Sequence, residues 1–366
     1  MKAYDRWLEQ EAIPVVRGYY IEDLRAVKVE PWQRLGGLGA YIDLEGMSGL
    51  TNSYVLEIPA GQALRPERHS FDEIIYVLSG QGSTTVWYEG MPKQTVHWKA
   101  GALFSPPLNA WHQHVSSGGQ AARFVAVTHA PLAIDLYRNF DFIFNNDFIF
   151  RDRYDGREDY FGSKGKPFLT AAGEAGLETN FLPDVRTSDQ LRTFEARGPQ
   201  AKYVQLQLSG STLGAHLSEW PVGTYQKAHW HGPSASVILV TGTGYSLMWH
   251  KSLGIKPFSE GKGDEVIRVD WKDGTMVTPL TNWFHQHFNT GSTPARYVAI
   301  RGDSARYQIR VRAEMGSQLV NMAKSIEEGG NQIEYQNEDP EIRKMFEREL
   351  EKSGLKSLMP PVGVDR

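Results

Sequence analysis

Cysteine is absent from all 366 residues. That excludes disulfides, iron–sulfur clusters, thiolate zinc sites and a thiol nucleophile together. A run of about 18 apolar residues is missing too, so no segment is expected to span a membrane. Neither sign of charge is in excess. The 39 Lys+Arg stand against 43 Asp+Glu, a formal net charge of −4, whereas a general nucleic-acid binder would carry a basic stripe. The opening residues hold acids and no apolar leader core, so no secretory signal is expected and the expected location is cytoplasmic. What the chain does have is 40% apolar and 11% aromatic residues, enough to fill real cores, and 11 histidines. At roughly 150 residues per domain, the length predicts two domains.

The chain repeats itself. Ile58-Pro-Ala-Gly61, Glu67-Arg-His69 and Val77-Leu-Ser-Gly80 match Trp220-Pro-Val-Gly223, His229-Trp-His231 and Leu239-Val-Thr-Gly242. The offset is 162 throughout, by subtraction of the sequence numbers. Gly101, Pro106, Asn109, His112-Gln-His114 and Ala122-Arg-Phe-Val-Ala126 recur as Gly274, Pro279, Asn282, His285-Gln-His287 and Ala295-Arg-Tyr-Val-Ala299, now offset by 173. The extra residues fall around Phe258–Glu265, a polar, glycine-rich segment that reads as a longer hairpin loop. Two matching blocks in the same order point to a duplicated domain.

Each copy reads as short strands, among them 54–58, 74–78, 84–88 and 123–127, then 237–240, 245–249, 265–269 and 296–300. They are β-branched or aromatic and bounded by Gly, Pro or Ser. Many such strands predict a double-sheet jelly roll or a small barrel. Helix is expected over 5–10 and 340–351, the latter with Asp339 as N-cap, Pro340 in the first turn and Gly354 past the end. The domains predicted are 1–150 with a core of 50–130, a linker over 151–200, a second domain over 201–310 and a tail over 311–366. The aromatic stretch 140–150 is costly to leave in water and is expected to pack on a barrel or a partner subunit.

Histidine placement carries the chemistry. On a strand, residues i and i+2 face the same way with β-carbons roughly 6.5–7 Å apart. His229 and His231 could therefore grip one divalent ion, with His285 as third ligand. Three neutral imidazoles with open positions suit Fe(II), Mn, Ni, Cu or Zn. His114 and His287 share faces with His112 and His285 and read equally as acid/base groups or as satisfied interior histidines, whereas His216 and His250 read as structural. Tyr245, Trp249 and Trp283 are candidate walls of a substrate pocket, and Trp230 should point away from the ion. Arg296 and Arg301 could hold a substrate carboxylate, although the recurrence of Arg123 as Arg296 equally fits a shared salt bridge.

Gly223-x5-His229-x-His231-x10-Gly242 resembles the first cupin motif, and Gly274, Asn282, His285 and Asn289 resemble the second. The match covers roughly 50–130 and 212–302, so the whole is similar to a bicupin. The resemblance implies an all-β fold of two tandem cupin jelly-roll barrels, with peripheral helices and a helical C-terminal tail. It also implies four ligands per module: two His, a Glu a few residues on, and the second-motif His. Both copies depart from this. The second has Ala235 or Ser236 where the Glu belongs, leaving His229, His231 and His285. The first keeps Glu73, His69 and His112 but has Glu67 in place of the first His, which gives either a second metal site for Mn or Fe or a decayed one. Asn109 and Asn282 stand where the family has glycine, a substitution a left-handed backbone tolerates.

The leading expectation is a non-haem Fe(II) dioxygenase similar to the gentisate and salicylate ring-cleaving bicupins. It would take O₂ and a small anionic or aromatic substrate, with Arg296 holding the carboxylate and His287 shuttling a proton. The alternatives are a redox-neutral decarboxylase, isomerase or lyase, with Glu67 or Glu73 handling protons, and a non-catalytic binding bicupin. A homodimer or homotetramer is expected.

Overall fold

The computed structural model describes residues 2–170, 173–232, 235–307, 309 and 324–362. Each half of the chain forms a large sheet and a three-stranded sheet that close on one another. In the first half the large sheet runs through Gly37–Leu44, Asn52–Ile58, Ala122–Thr128, Glu73–Ser79 and Leu103–Phe104, and the small one sets Gln81–Trp87 between Trp111–Ser116 and Gln94–Lys99. In the second, Lys202–Gln207, Gly214–Trp220, Ala295–Arg301, Ala235–Thr241 and Met276–Val277 face a small sheet of Gly244–His250 between Ile267–Trp271 and Trp283–Asn289. The strands read from sequence are present, that read at 265–269 lying at Ile267–Trp271, except the one expected around His229 and His231. The loop after Gly244–His250 is long, as the offset change requires.

The two large sheets share a core. Ile42, Val55 and Val125 of the first barrel pack in one cluster with Leu206, Leu217 and Val298 of the second. Residues 151–200, expected as linker, carry strands that belong to this assembly. Ala175–Glu178 pairs in parallel with Lys202–Gln207, and Phe181–Leu182 pairs with Leu103–Phe104 of the first barrel. Reciprocally, Tyr20–Ile21 pairs with Met276–Val277 of the second barrel. Each copy thus sends a leading arm onto the other barrel. The arms are repeats themselves: Asp23-Leu-Arg25 recurs as Asp184-Val-Arg186. Leu24 N–H donates to Gly274 O and Val185 N–H to Gly101 O, both at 2.9 Å.

The helices lie at the periphery: Ala3–Glu11, Ala130–Tyr137, Phe140–Asn145 and Pro340–Lys352. In the last, the Asp339 side chain accepts from Glu341 N–H as the expected cap, and Ile342, Phe346 and Leu350 are buried. They cover the outer face of Gly244–His250, packing with Tyr245, Trp249 and Phe288. The tail lies outside the described residues over 310–323 and 363–366. Of the aromatic stretch, Ile143 is buried and Phe144 packs edge-on to Trp7 and Phe71, while Phe142 and Phe148 remain exposed. No described helix is long and apolar enough to cross a membrane.

Candidate metal centres and an anion cavity

The residue pairs that begin each cluster are joined by their backbones. His229 and His285 exchange N–H···O bonds of 3.2 and 2.9 Å, and Glu67 and His112 exchange bonds of 3.0 and 2.8 Å. These are isolated bridges rather than the regular strand expected around His229 and His231. The side-chain direction holds nonetheless. The first-motif and second-motif side chains turn into the same barrel, and Asn109 and Asn282 take the turn before the second motif at φ 57° and 64°. Trp230 points away, over the Lys251 ammonium at 4.6 Å.

In the C-terminal barrel, ligand atoms of His229, His231 and His285 lie within 4.8 Å of one another. Their Nδ1 atoms sit 3.1, 3.0 and 3.1 Å from the carbonyl oxygens of Lys227, Gly232 and Trp283. A carbonyl only accepts, so each Nδ1 carries the proton and each Nε2 turns a lone pair inward. Burial first, then the Arg197 guanidinium and the neighbouring imidazoles, hold His229 well below the ordinary imidazole range; burial, His231 and His287 do so for His285. Three neutral nitrogen donors on a common point fit a divalent first-row ion.

In the N-terminal barrel, His69, Glu73 and His112 converge within 4.8 Å. Glu73 Oε2 is 3.5 Å from His69 Nε2 and 3.8 Å from His112 Nε2, and both Glu73 Oε2 and His112 Nε2 are buried without a hydrogen-bond partner. Buried polar atoms facing one another beyond hydrogen-bond reach are what a cation between them would satisfy. Glu67 stands apart from this trio. Its Oε1 is 3.7 Å from His112 Nε2, and its other oxygen takes a charged hydrogen bond from Arg34. Burial opposes its ionisation, but Arg34 and then His112 outweigh it and hold the carboxylate below its usual range. Tyr54 donates to Glu73.

The copies differ where Glu73 and Tyr54 of the first become Ala235 and His216 of the second. The smaller side chains open a cavity of about 60 Å³ beside the three histidines, against about 20 Å³ in the first barrel. Two buried guanidiniums face the larger cavity. Arg197 is placed by Lys227 N–H donating to its carbonyl at 2.8 Å, and its Nη1 donates to Gln332 Oε1 at 3.2 Å. Arg301 donates from Nη2 to Gln205 Oε1 at 2.6 Å, and its Nε is buried without a partner among the described residues. Among the described residues no carboxylate pairs with either, and burial lowers the Arg197 pKa to about 10. Charge so buried is ordinarily paired. Glu174, which accepts from Gln205 Nε2 at 3.2 Å, is the carboxylate among the lining side chains.

Several expected site residues lie elsewhere. Tyr245 stacks on Phe288 at 4.4 Å and Trp249 packs against Phe284, both on the outer face beneath the C-terminal helix. Trp283 packs with Met248, Val269 and Val277, away from the cavity. Arg296 is bound by Glu219 at 2.6 Å and by the carbonyls of Val185 and Ser188, which ties the crossing arm; Arg123 does the same with Glu57 and Arg25. Neither is among the residues lining the two barrel cavities. His287 does line the cavity, and so does His216, read from sequence as structural. His250 is exposed and bonds Ser252. Glu67 and Glu73 belong to the other barrel and cannot handle protons in this one.

A sequence model of the cupin domain matches residues 54–128. No protein of curated function matches the chain in sequence. Among solved structures the chain is similar to oxalate decarboxylase of Lactobacillus farciminis in a formate complex, at 12% identity over 80% of this chain and 88% of that one, with a TM-score of 0.51. A mutant of Bacillus subtilis oxalate decarboxylase aligns at 12% identity over 79% of this chain and 78% of that one, with a TM-score of 0.49. The fold is therefore that of two tandem cupin barrels. At this identity the likeness is one of fold.

Proposed function

From a chain that folds as two tandem cupin barrels, we propose a metal-dependent enzyme that acts on a small carboxylate in its C-terminal barrel by redox-neutral chemistry, as a decarboxylase, isomerase or lyase. The observation that carries this is the pair Arg197 and Arg301: two buried guanidiniums, with no carboxylate paired to either among the described residues, facing the same cavity as three inward imidazole nitrogens. Neutral ligands leave the cavity positive, so an anion is drawn in and held. Guanidiniums hold a carboxylate through charge-assisted hydrogen bonds. His229, His231 and His285 would hold the ion, which when bound supplies Lewis acidity to the substrate oxygens. Glu174 lines the same cavity and would take or return a proton at the substrate carbon. Lys202, half exposed and paired with Glu219, lines the same cavity.

Size supports a small substrate over an aromatic ring. A cavity of ~150 Å³ is known to admit benzene, and this one is about 60 Å³. A second reading, O₂-dependent chemistry, is favoured by one observation: the N-terminal cluster His69, Glu73, His112 is the two-imidazole, one-carboxylate set that suits Fe(II) or Mn(II). A homodimer or homotetramer is part of the proposal, to be read by sedimentation velocity.

The test is turnover of two- to four-carbon mono- and dicarboxylates, with O₂ uptake followed at an electrode and CO₂ release measured alongside. Product without net O₂ uptake supports the redox-neutral reading. Stoichiometric O₂ consumption would replace it with the second.

A further inference from the structure

Each barrel holds one more histidine, two residues beyond the second-motif ligand, and its environment is duplicated in detail. In the C-terminal barrel Trp271 Nε1 donates to Ser246 Oγ at 3.0 Å, and Ser246 Oγ lies 2.7 Å from His287 Nδ1. In the N-terminal barrel Trp98 Nε1 donates to Thr84 Oγ1 at 2.8 Å, and Thr84 Oγ1 lies 2.7 Å from His114 Nδ1. A glycine makes room for each indole. A β-carbon at Gly244 would stand 2.7 Å from the Trp271 ring and 1.9 Å from Phe288 O; at Gly82 it would stand 2.4 Å from the Trp98 ring and 2.1 Å from Val115 O. Glycine, hydroxyl, tryptophan and histidine thus recur as a unit.

The protons in this chain can be assigned by counting. An indole nitrogen only donates, so the hydroxyl oxygen accepts from tryptophan. The hydroxyl has one proton of its own, and among the described residues its remaining hydrogen-bond partner is the histidine Nδ1. Were Nδ1 of His287 protonated, the Ser246 hydroxyl proton would be buried with no acceptor among the described residues, whereas a proton on Nε2 opens onto the cavity. In the C-terminal barrel the Ser246 hydroxyl therefore donates to Nδ1, and the His287 ring proton sits on Nε2. The same count disfavours an imidazolium. This is the opposite tautomer to His229, His231 and His285, whose Nδ1 protons are spent on backbone carbonyls.

We propose that His287 is a fixed hydrogen-bond donor, not a ligand or a proton shuttle: the Trp271–Ser246 relay holds its Nε2–H into the cavity to anchor an oxygen of the bound anion. The anchoring half rests on the proposed reading of the cavity as an anion site; the tautomer does not. His287 lines that cavity and has no protein acceptor for Nε2 among the described residues. His114 repeats the relay, but its Nε2 is buried with no partner among the described residues, so either tautomer there leaves one donor unmet and the assignment is made for His287 alone. Ser246 and Trp271 are positioning residues, acting through His287.

The experiment is long-range ¹H–¹⁵N correlation on the full chain, labelled at the histidine rings and loaded with diamagnetic Zn(II). His287→Gln identifies the resonance. A protonated Nε2 with a bare Nδ1 is expected, and Ser246→Ala should release it into a mixture of tautomers. A proton on Nδ1 in the wild type, or no change in Ser246→Ala, would overturn the assignment. Calorimetric titration with acetate tests the anchor. His287→Phe should weaken binding about tenfold, while His287→Gln, whose amide can place an N–H near the same point, should stay within about threefold. Equal losses in the two variants would overturn the donor role. A wild-type chain with the expected tautomer but no acetate binding would overturn the anchoring through failure of the cavity reading alone, so the two failures are distinguishable.

Discussion

His229 and His285, 56 residues apart in sequence, are hydrogen-bonded backbone partners whose imidazole centroids lie 4.3 Å apart. The bridge makes their convergence a property of the backbone. His229→Ala should therefore leave the fold intact while removing a donor. Elemental analysis after dialysis should show the C-terminal equivalent of metal lost, with far-ultraviolet circular dichroism unchanged. Retention of the full metal content would move the site elsewhere.

Arg301→Leu should act in opposite directions on two observables. It removes a charge-assisted contact, so the affinity for a small carboxylate should fall by at least tenfold. It also removes an unpaired buried charge, so the anion-free protein should melt higher. Calorimetric titration and thermal denaturation without added anion check the two. A lower melting temperature would mean that Arg301 is already satisfied without a ligand.

Ala235→Glu restores the carboxylate that the first barrel has as Glu73. The second barrel should then hold its ion more tightly and its anion more weakly, because the added negative charge opposes the anion and fills the space. Chelator-resisted metal content should rise while the KM for the carboxylate rises at least severalfold.

Glu338 gives the chain a pH dependence away from the metal ligands. Burial, above all, pushes its carboxyl up to about 7, against hydrogen bonds from Tyr225 and Gln286. The folded state thus binds more protons than the unfolded one between about 4.5 and 7. Stability from this group is complete below that window and is lost as pH rises through it. Glu338→Gln should remove the loss, so its advantage over wild type should grow by on the order of 2–3 kcal/mol from pH 4.5 to 8. Urea titrations across that range check it; parallel curves would assign the carboxyl an ordinary pKa.

The duplication, the strands, the capped C-terminal helix and the histidine clusters were legible because each is written locally, in a motif or a period. The arm exchange was not read from the sequence, where 151–200 was expected as linker: its one local trace, Asp23-x-Arg25 recurring at Asp184-x-Arg186, is short and does not say which barrel an arm crosses to. Strand parity correctly put Tyr245 and Trp249 on one face. It could not say which face was inside, since Gly244–His250 is buried on both, and the outer one is covered by a helix about 100 residues later. Arg197 carries no local signal at all: it sits in a short turn and meets His229 and Gln332 only in the folded chain.

By itself, then, the sequence determined which donor atoms exist and in what order they recur, because ligand chemistry and strand period are properties of neighbouring residues. Only the tertiary structure decided which guanidiniums are buried with no carboxylate partner among the described residues, which aromatic face is interior and which hydroxyl meets His287. Each of those depends on groups brought together from distant parts of the chain, and burial is what makes an unpaired charge or an unmet hydrogen bond expensive enough to matter.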